Sequence, residues 1–222
     1  MKSKTFLHFI TACLILFSVC AHASEQILPE NVRLWADQKG NTLLEAFSEQ
    51  DVARKHSMLD KMFEEYIDLE YISKFVMGKH WRSMTDEEKS IYQELFHRYA
   101  LSTYKTFPLS FNGNISFKVG EVSINKDRAT VDVHISITAP NSQGSGQNVT
   151  VVFMLKHNGD KGLQIIDLKL ADASLILSYR SKFYEMMDNL DGQVEWFLED
   201  LESMVEYNEK NAQMQLNYVE SF

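Results

Sequence analysis

From Ala129 to Thr138 the chain alternates without a break: Ala129, Val131, Val133, Ile135 and Ile137 on the odd positions, Thr130, Asp132, His134, Ser136 and Thr138 on the even ones. A period of two places the first set on one side of a pleated strand and the second on the other. Such a strand is half-buried, and its Val and Ile side must be covered by something apolar. The flanking sequence indicates what covers it. Before Phe107 and after Ala173 the apolar residues recur at steps of three and four, the period of helices. Helices, then strands, then helices predict an α+β domain with one face of an antiparallel sheet covered by helices.

The strand region extends over 114–170. Ile115, Phe117 and Val119 form a shorter alternating run, Val149 to Leu155 is apolar on both faces as a central strand would be, and Leu163 to Leu170 makes a fourth strand. Asn125-Lys126-Asp127, the Gly-containing stretch Pro140 to Gln147, and Asn158-Gly159-Asp160 are turn-rich links between neighbours. A four-stranded antiparallel meander is expected.

Ahead of it, Pro29 suits the first turn of a helix carrying Val32, Leu34, Trp35, Leu43, Leu44 and Phe47, with a break expected near Gly40. A second helix covers about Asp51 to Tyr66. Asp68 can cap a third, with Tyr71, Ile72, Phe75 and Val76 on one side and Gly78 at its end. Thr85-Asp86-Glu87-Glu88 is a capping box for a fourth helix with Tyr92, Leu95, Phe96, Tyr99, Thr103 and Phe107 at core spacing, stopped by Pro108. After the strands come a helix with Leu175, Tyr179, Phe183 and Met186 or Met187, and a second with Val194, Phe197, Leu198, Leu201 and Val205. Residues 212–222 read as a polar tail that frays.

The first residues read as a processing segment. Lys2 and Lys4 precede an apolar run from Phe6 to Val19, and Ala21-His22-Ala23 offers a small-x-small cleavage pattern. Residues 1–23 are therefore expected to be a signal peptide, with Ser24 the first residue of a single domain over 24–211 (helices in 28–108, strands in 114–170, helices in 173–211). Cys20 would suit a lipoprotein signal, but Val19 stands before it where a small residue is needed. Both cysteines, Cys13 and Cys20, lie in this segment, so the mature chain would have no disulfide and no thiolate ligand. Its stability would rest on the core alone. No later segment is apolar and long enough to cross a bilayer, which predicts a soluble periplasmic product.

Charge and chemistry exclude several classes. Without Lys2 and Lys4 the chain carries 20 basic and 31 acidic residues, a net charge of −11, so nucleic acid and anionic membranes are poor partners. Phe183 to Glu209 holds nine carboxylates and no Lys or Arg, either a solvated helix face or a docking surface for a basic partner. His56, His80, His97, His134 and His157 show no metal-ligand spacing, and Gly144-Ser145-Gly146 lacks the frame of a nucleophile elbow. No catalytic constellation, metal site or cofactor is expected.

Ile72–Tyr104, with Val76, Gly78, Trp81, Thr85, Thr103 and Tyr104, followed by Ser174, Tyr179 and Arg180 after the strands, resembles the MlaC-type (toluene-tolerance Ttg2) family of periplasmic phospholipid-binding proteins. Two positions depart from that family's pattern: Asp172 where Gly is usual, and Leu163 where Trp is common. The resemblance implies an apolar cavity between sheet and helices, a diacyl phospholipid as cargo, and exchange with an inner-membrane ABC transporter bearing an MCE-domain subunit and with an outer-membrane lipoprotein–porin complex. It implies a role in maintaining outer-membrane lipid asymmetry.

Hiding two acyl chains from water is worth on the order of 20 kcal/mol at ~0.8 kcal/mol per methylene, which calls for an enclosed apolar site. The residues placed to wall it are Phe75, Tyr99, Tyr104, Phe107 and Tyr179 from helices, and Val131, Val133, Ile135, Val151, Phe153, Ile166 and Leu168 from strands. Sequence alone does not separate a hollow interior from a filled one, since stripes at these spacings also build solid cores. Two other readings stand beside the phospholipid carrier: a carrier of another apolar cargo, hopanoid-like or hydrocarbon, and a non-catalytic periplasmic adaptor domain with an acidic docking face.

Overall fold

The computed structural model describes residues 27–105, 113–138 and 146–219, with side chains through 214. The signal segment, the Ser24 start, Phe107, the Pro108 stop and most of the Pro140–Gln147 link lie outside the described residues.

Four helices come first: α1 Pro29–Ser48, α2 Val52–Tyr66, α3 Leu69–Met77 and α4 Asp86–Lys105, with a short 3-10 turn at His80–Arg82. Their starts are capped as their residues dictate. Asp51 accepts from the Arg54 amide at 2.8 Å and Asp68 from the Tyr71 amide at 3.0 Å. At Thr85 the hydroxyl accepts from the Glu88 amide at 3.2 Å while the Glu88 carboxylate accepts from the Thr85 amide at 2.6 Å, a reciprocal box. Gly78 closes α3 at φ +52°, and a Cβ there would run into the Tyr184 hydroxyl and the Arg180 guanidinium. The Lys79 amide donates to Tyr184 Oη at 2.9 Å, so glycine is what lets α5 lie against this corner.

The expected break at Gly40 does not occur, and α1 runs unbroken through it. The ring of Phe117 occupies the space a side chain at Gly40 would need. Glycine here permits close approach of helix and strand, a use that resembles a helix breaker in sequence.

The strands are β1 Asn114–Asn125, β2 Arg128–Thr138, β3 Gln147–His157, β4 Leu163–Leu170 and β5 Ala173–Ser174, in the order β1-β2-β3-β4-β5, each pair antiparallel. The meander holds, but there are five strands rather than four. After β4 the chain turns at Ala171 and Asp172, both at positive φ (48° and 66°), and Ala173 pairs back on Leu170. A strand of two residues is too short to show an alternation. β1 is also longer than expected, continuing past a bulge between Val119 and Val122 whose Gly120 carbonyl accepts from Arg33 of α1 at 2.6 Å.

Two helices complete the chain, α5 Leu175–Asn189 and α6 Val194–Val219. Ser174 caps α5 through the Leu177 amide, and its own hydroxyl donates to buried Asp167 at 2.7 Å. α6 continues beyond Asn211, and Ala212 is buried, so the first turns of the expected tail are helical and packed.

Burial divides between two cores. One is built by α3 to α6 and is aromatic: Tyr92, Phe96, Phe183 and Phe197 meet ring to ring at 5.3–6.4 Å, and the Tyr92 hydroxyl donates to the Ser73 carbonyl at 2.9 Å. The other lies between α1 and the sheet, with Ile27, Val32 and Ala36 on Ala129, Val131 and Leu155. The opposite sheet face is polar: His134 bonds Thr150 at 2.9 Å and Ser136 donates to Asn148 at 2.8 Å across strands.

Candidate functional site

The register places six of the seven strand residues together. Val131 pairs with Phe153, Val133 with Val151 and Ile135 with Val149, while Phe153 pairs with Leu168. Directly opposed residues project to the same side, so Val131, Val133, Ile135, Val151, Phe153 and Leu168 share the α1-facing side of the sheet. The seventh, Ile166, is the extra residue at a bulge in β4 and is buried to 1% exposure.

Their burial is graded. Val131 is sealed beneath α1, whereas Ile135, Val149, Val151 and Leu168 are only half-buried. The cause is the layout of helices. α1 lies along β1 and reaches β2, and α2, α3 and α5 reach β4. Among the described residues no helix makes extensive backbone contact with β3, whose neighbours are β2 and β4. The half of β3 around Val149 and Val151 is only half-buried, whereas Leu155 nearer its other end is sealed beneath α1.

The helical residues separate from this strip. Phe75, Tyr99 and Tyr179 belong to the aromatic core of α3 to α6. Tyr99 stands edge-on to Tyr179 at 5.9 Å and accepts from Lys182 Nζ at 2.9 Å, and burial, with Tyr99 alongside, raises the Tyr179 phenol above its ordinary pKa. The Arg180 guanidinium lies 4.9 Å over the Phe75 ring. Tyr104 is different. It stacks on Phe63 of α2 at 5.4 Å and its hydroxyl donates to Asp60, whose other oxygen accepts from Lys105 at 2.8 Å. Burial and the Asp60 carboxylate hold this phenol far above its ordinary pKa, so it remains a neutral strut between α2 and α4. The twelve residues picked from sequence therefore do not form a single wall. Six line the sheet, Ile166 is in a bulge, three are core, Tyr104 braces two helices, and Phe107 lies outside the described residues.

Two hollows stand out among the described residues. One, of about 420 Å³, is bounded by Tyr99, Thr103, Lys182, Ser203, Met204, Tyr207 and Asn208 where α4, α5 and α6 meet. The other, of about 260 Å³, lies between the start of α1 and the β3–β4 turn, beside Trp35, Gln38 and Leu163. The first falls at the low end of the roughly 300–1,000 Å³ that small-ligand sites enclose, and the second falls below it. Sequence reasoning missed both because each is bounded by residues of unrelated segments. A signal for the first existed in the spacing of Ser203 and Tyr207 on α6. Among the described residues no three His, Cys, Asp or Glu side chains gather as metal ligands, and no helix is long and apolar enough to cross a membrane.

A five-stranded antiparallel meander with helices before and after it, and an apolar inner strip only half-buried at β3, defines an α+β domain. A family model described as "MlaC protein" matches residues 38–203, and the chain belongs to that family. The solved structure of a phospholipid-binding protein from Ralstonia solanacearum, in complex with a phospholipid, shares the fold with a TM-score of 0.54 at 17% identity, over 81% of this chain and 90% of that one. An iota-carbonic anhydrase from a cyanobacterium, complexed with bicarbonate, overlaps 65% of this chain and 91% of its own at 17% identity, but its TM-score of 0.42 carries no argument. No curated protein matches significantly.

Proposed function

We propose that this protein is a periplasmic phospholipid carrier that has no catalytic function, and that acyl chains lie against the inner face of β2 and β3. The observation that carries the reading is the apolar strip of Ile135, Val149, Val151 and Leu168 on the α1-facing side of the sheet, which is only half-buried, unlike Val131 beside it. Membership of the MlaC family and the lipid-bound relative of the same fold support the choice of cargo. Tyr104, held against α2 by Asp60 and Phe63, would bound one end of the acyl-chain space. Phe75, Tyr99 and Tyr179 would support it from the aromatic core rather than touch lipid.

The remaining steps extend the same proposal. Residues 1–23 direct secretion and are removed. The loaded protein exchanges lipid with an inner-membrane ABC transporter through its MCE-domain subunit and with an outer-membrane lipoprotein–porin complex, which serves outer-membrane lipid asymmetry.

Val151→Trp tests the placement, because an indole at the centre of the strip fills the space that an acyl chain would use. Organic extraction of the purified protein should yield about one phospholipid per chain for the wild type and several-fold less for the variant, with an unchanged circular dichroism spectrum. Equal lipid from a folded variant would refute the placement, and extraction of a different apolar molecule from both would refute the cargo.

A further inference from the structure

The hollow of about 420 Å³ where α4, α5 and α6 meet has no strand residue in its lining, and its chemistry differs from that of the sheet. Lys182 reaches it from α5 and makes no ion pair among the described residues, although the chain carries 31 acidic side chains against 22 basic ones. Its Nζ donates instead to Tyr99 Oη of α4 at 2.9 Å, and lies 5.3 Å from the centre of that ring. Tyr99 is 5% exposed. With its oxygen accepting from Lys182, its own hydroxyl proton has no acceptor among the described residues. A buried donor at the wall of a cavity is costly unless water or a solute in that cavity accepts from it.

Helix α6 supplies the other side. The Ser203 and Tyr207 hydroxyls make no hydrogen bond among the described residues, and Asn208 donates one amide hydrogen to Thr103 Oγ1 at 3.3 Å and keeps the other. The free donors are thus an ammonium, hydroxyls and an amide, brought in from three helices, and no carboxylate is among the lining residues. Glu199, Asp200, Glu202 and Glu206 of α6 are exposed, and none of them bounds the hollow. Their field is screened beyond about 8 Å at physiological ionic strength. Donors gathered without a carboxylate select a ligand that is anionic and rich in acceptors. Approach from three helices suits a tetrahedral oxyanion, whose oxygens point in different directions, better than a planar carboxylate. The volume leaves room for a short organic group beside it, against Met204 and the Tyr207 ring.

We propose that this hollow binds the phosphate of a small phosphate ester. Lys182 supplies the counter-charge, and the hydroxyls of Tyr99, Ser203 and Tyr207 with the Asn208 amide donate to the phosphate oxygens. Two sources carry that group, a free glycerol phosphate and the headgroup of a bound phospholipid. The lining shares no residue with the strip on β2 and β3, so the phosphate site and the acyl-chain site can fail independently.

The test titrates glycerol phosphate, with glycerol as the neutral control, into the isotope-labelled protein, both delipidated and loaded with phosphatidylglycerol. Amide resonances around 99–103, 182 and 203–208 should shift with the phosphate ester and not with glycerol. Affinity should fall about tenfold for Lys182→Met and about threefold for Tyr99→Phe, which keeps the ring and removes only the hydroxyl. Ser203→Ala, at an exposed position, gives a second check if Tyr99→Phe disturbs the core. Binding to the loaded form as well assigns the site to a free solute. Binding to the delipidated form alone assigns it to the headgroup of the cargo, and the phosphorus resonance of the bound lipid should then move in Lys182→Met. A protein that takes up no lipid refutes the carrier reading and leaves the glycerol phosphate titration to decide this one. Shifts that are absent from both forms, centred elsewhere, matched by glycerol, or indifferent to Lys182→Met would overturn the proposal and leave a hollow filled by water.

Discussion

Asp172 occupies φ +66° in the turn between β4 and β5, beside Ala171 at +48°. L-residues adopt this region at a cost, which Asp bears better than most and Gly avoids. The departure noted at this position is thus a strained substitution in an otherwise ordinary tight turn. Asp172→Gly should stabilise the protein by about 0.5–1 kcal/mol, read as a higher urea midpoint at constant slope. A lower midpoint would contradict the assignment of strain. Two histidines offer a second check at this scale. Among the described residues, His56 Nδ1 and His80 Nε2 are buried and have no hydrogen-bond partner. Burial, then the charge of Lys105, lowers the pKa of His56, and burial, then Lys79, lowers that of His80, both from an ordinary 6.5. The unfolded chain therefore takes up protons near 6.5 before the folded chain does. Stability is present above that pH and is lost as pH falls through the window below it. The unfolding temperature should drop between about pH 7 and pH 5, and His80→Gln should shrink that drop. An identical drop in the variant would show that His80 contributes nothing to it.

At the scale of elements, Asp68 joins three of them. Its Oδ1 caps α3 through the Tyr71 amide, and its Oδ2 accepts from Asn158 Nδ2 at 3.2 Å in the β3–β4 turn. Asn158 also donates to Gln164 at 2.6 Å, and Gln164, 1% exposed, donates to the Glu65 carbonyl at the end of α2. Asp68→Ala removes the cap and strands part of this network. It should cost about 2–3 kcal/mol by urea denaturation, with Asp68→Asn milder because it keeps an acceptor for Tyr71. Equal losses from both would show that the cap is not the main term. The capping role of Asp68 was legible in sequence, as was the Thr85 box, because caps are local chemistry over three or four residues. The link to Asn158 was not, since it spans 90 positions. The same distinction explains the elements themselves. Alternation over ten residues revealed β2, and the three-and-four spacing revealed α4. β5 was too short to carry a period, and Gly40 looked like a break because nothing near it in sequence reveals Phe117.

For the whole molecule, two apolar cores stand beside a strip on the sheet, Ile135, Val149, Val151 and Leu168, that is only half-buried. Sequence identified six of the seven strand residues that share the α1-facing side, because a period of two is sufficient where the strand is regular, but it misplaced Ile166, which falls in a bulge. It could not separate Tyr99 and Tyr179, which pack into a helical core, from residues beside the strip, because core and cavity wall share one pattern. Whether a stripe is covered depends on where distant helices seat, and only the assembled fold decides it. The proposed carrier function takes its cargo from family membership and its place from this strip. The two can be joined in one measurement. A phospholipid carrying a photoreactive diazirine midway along an acyl chain, loaded into the wild-type protein and irradiated, should label peptides from β2 and β3 around Ile135, Val149 and Val151. Labelling confined to the α4–α5–α6 hollow beside Tyr207, or absent from both strands, would contradict the carrier site proposed on β2 and β3.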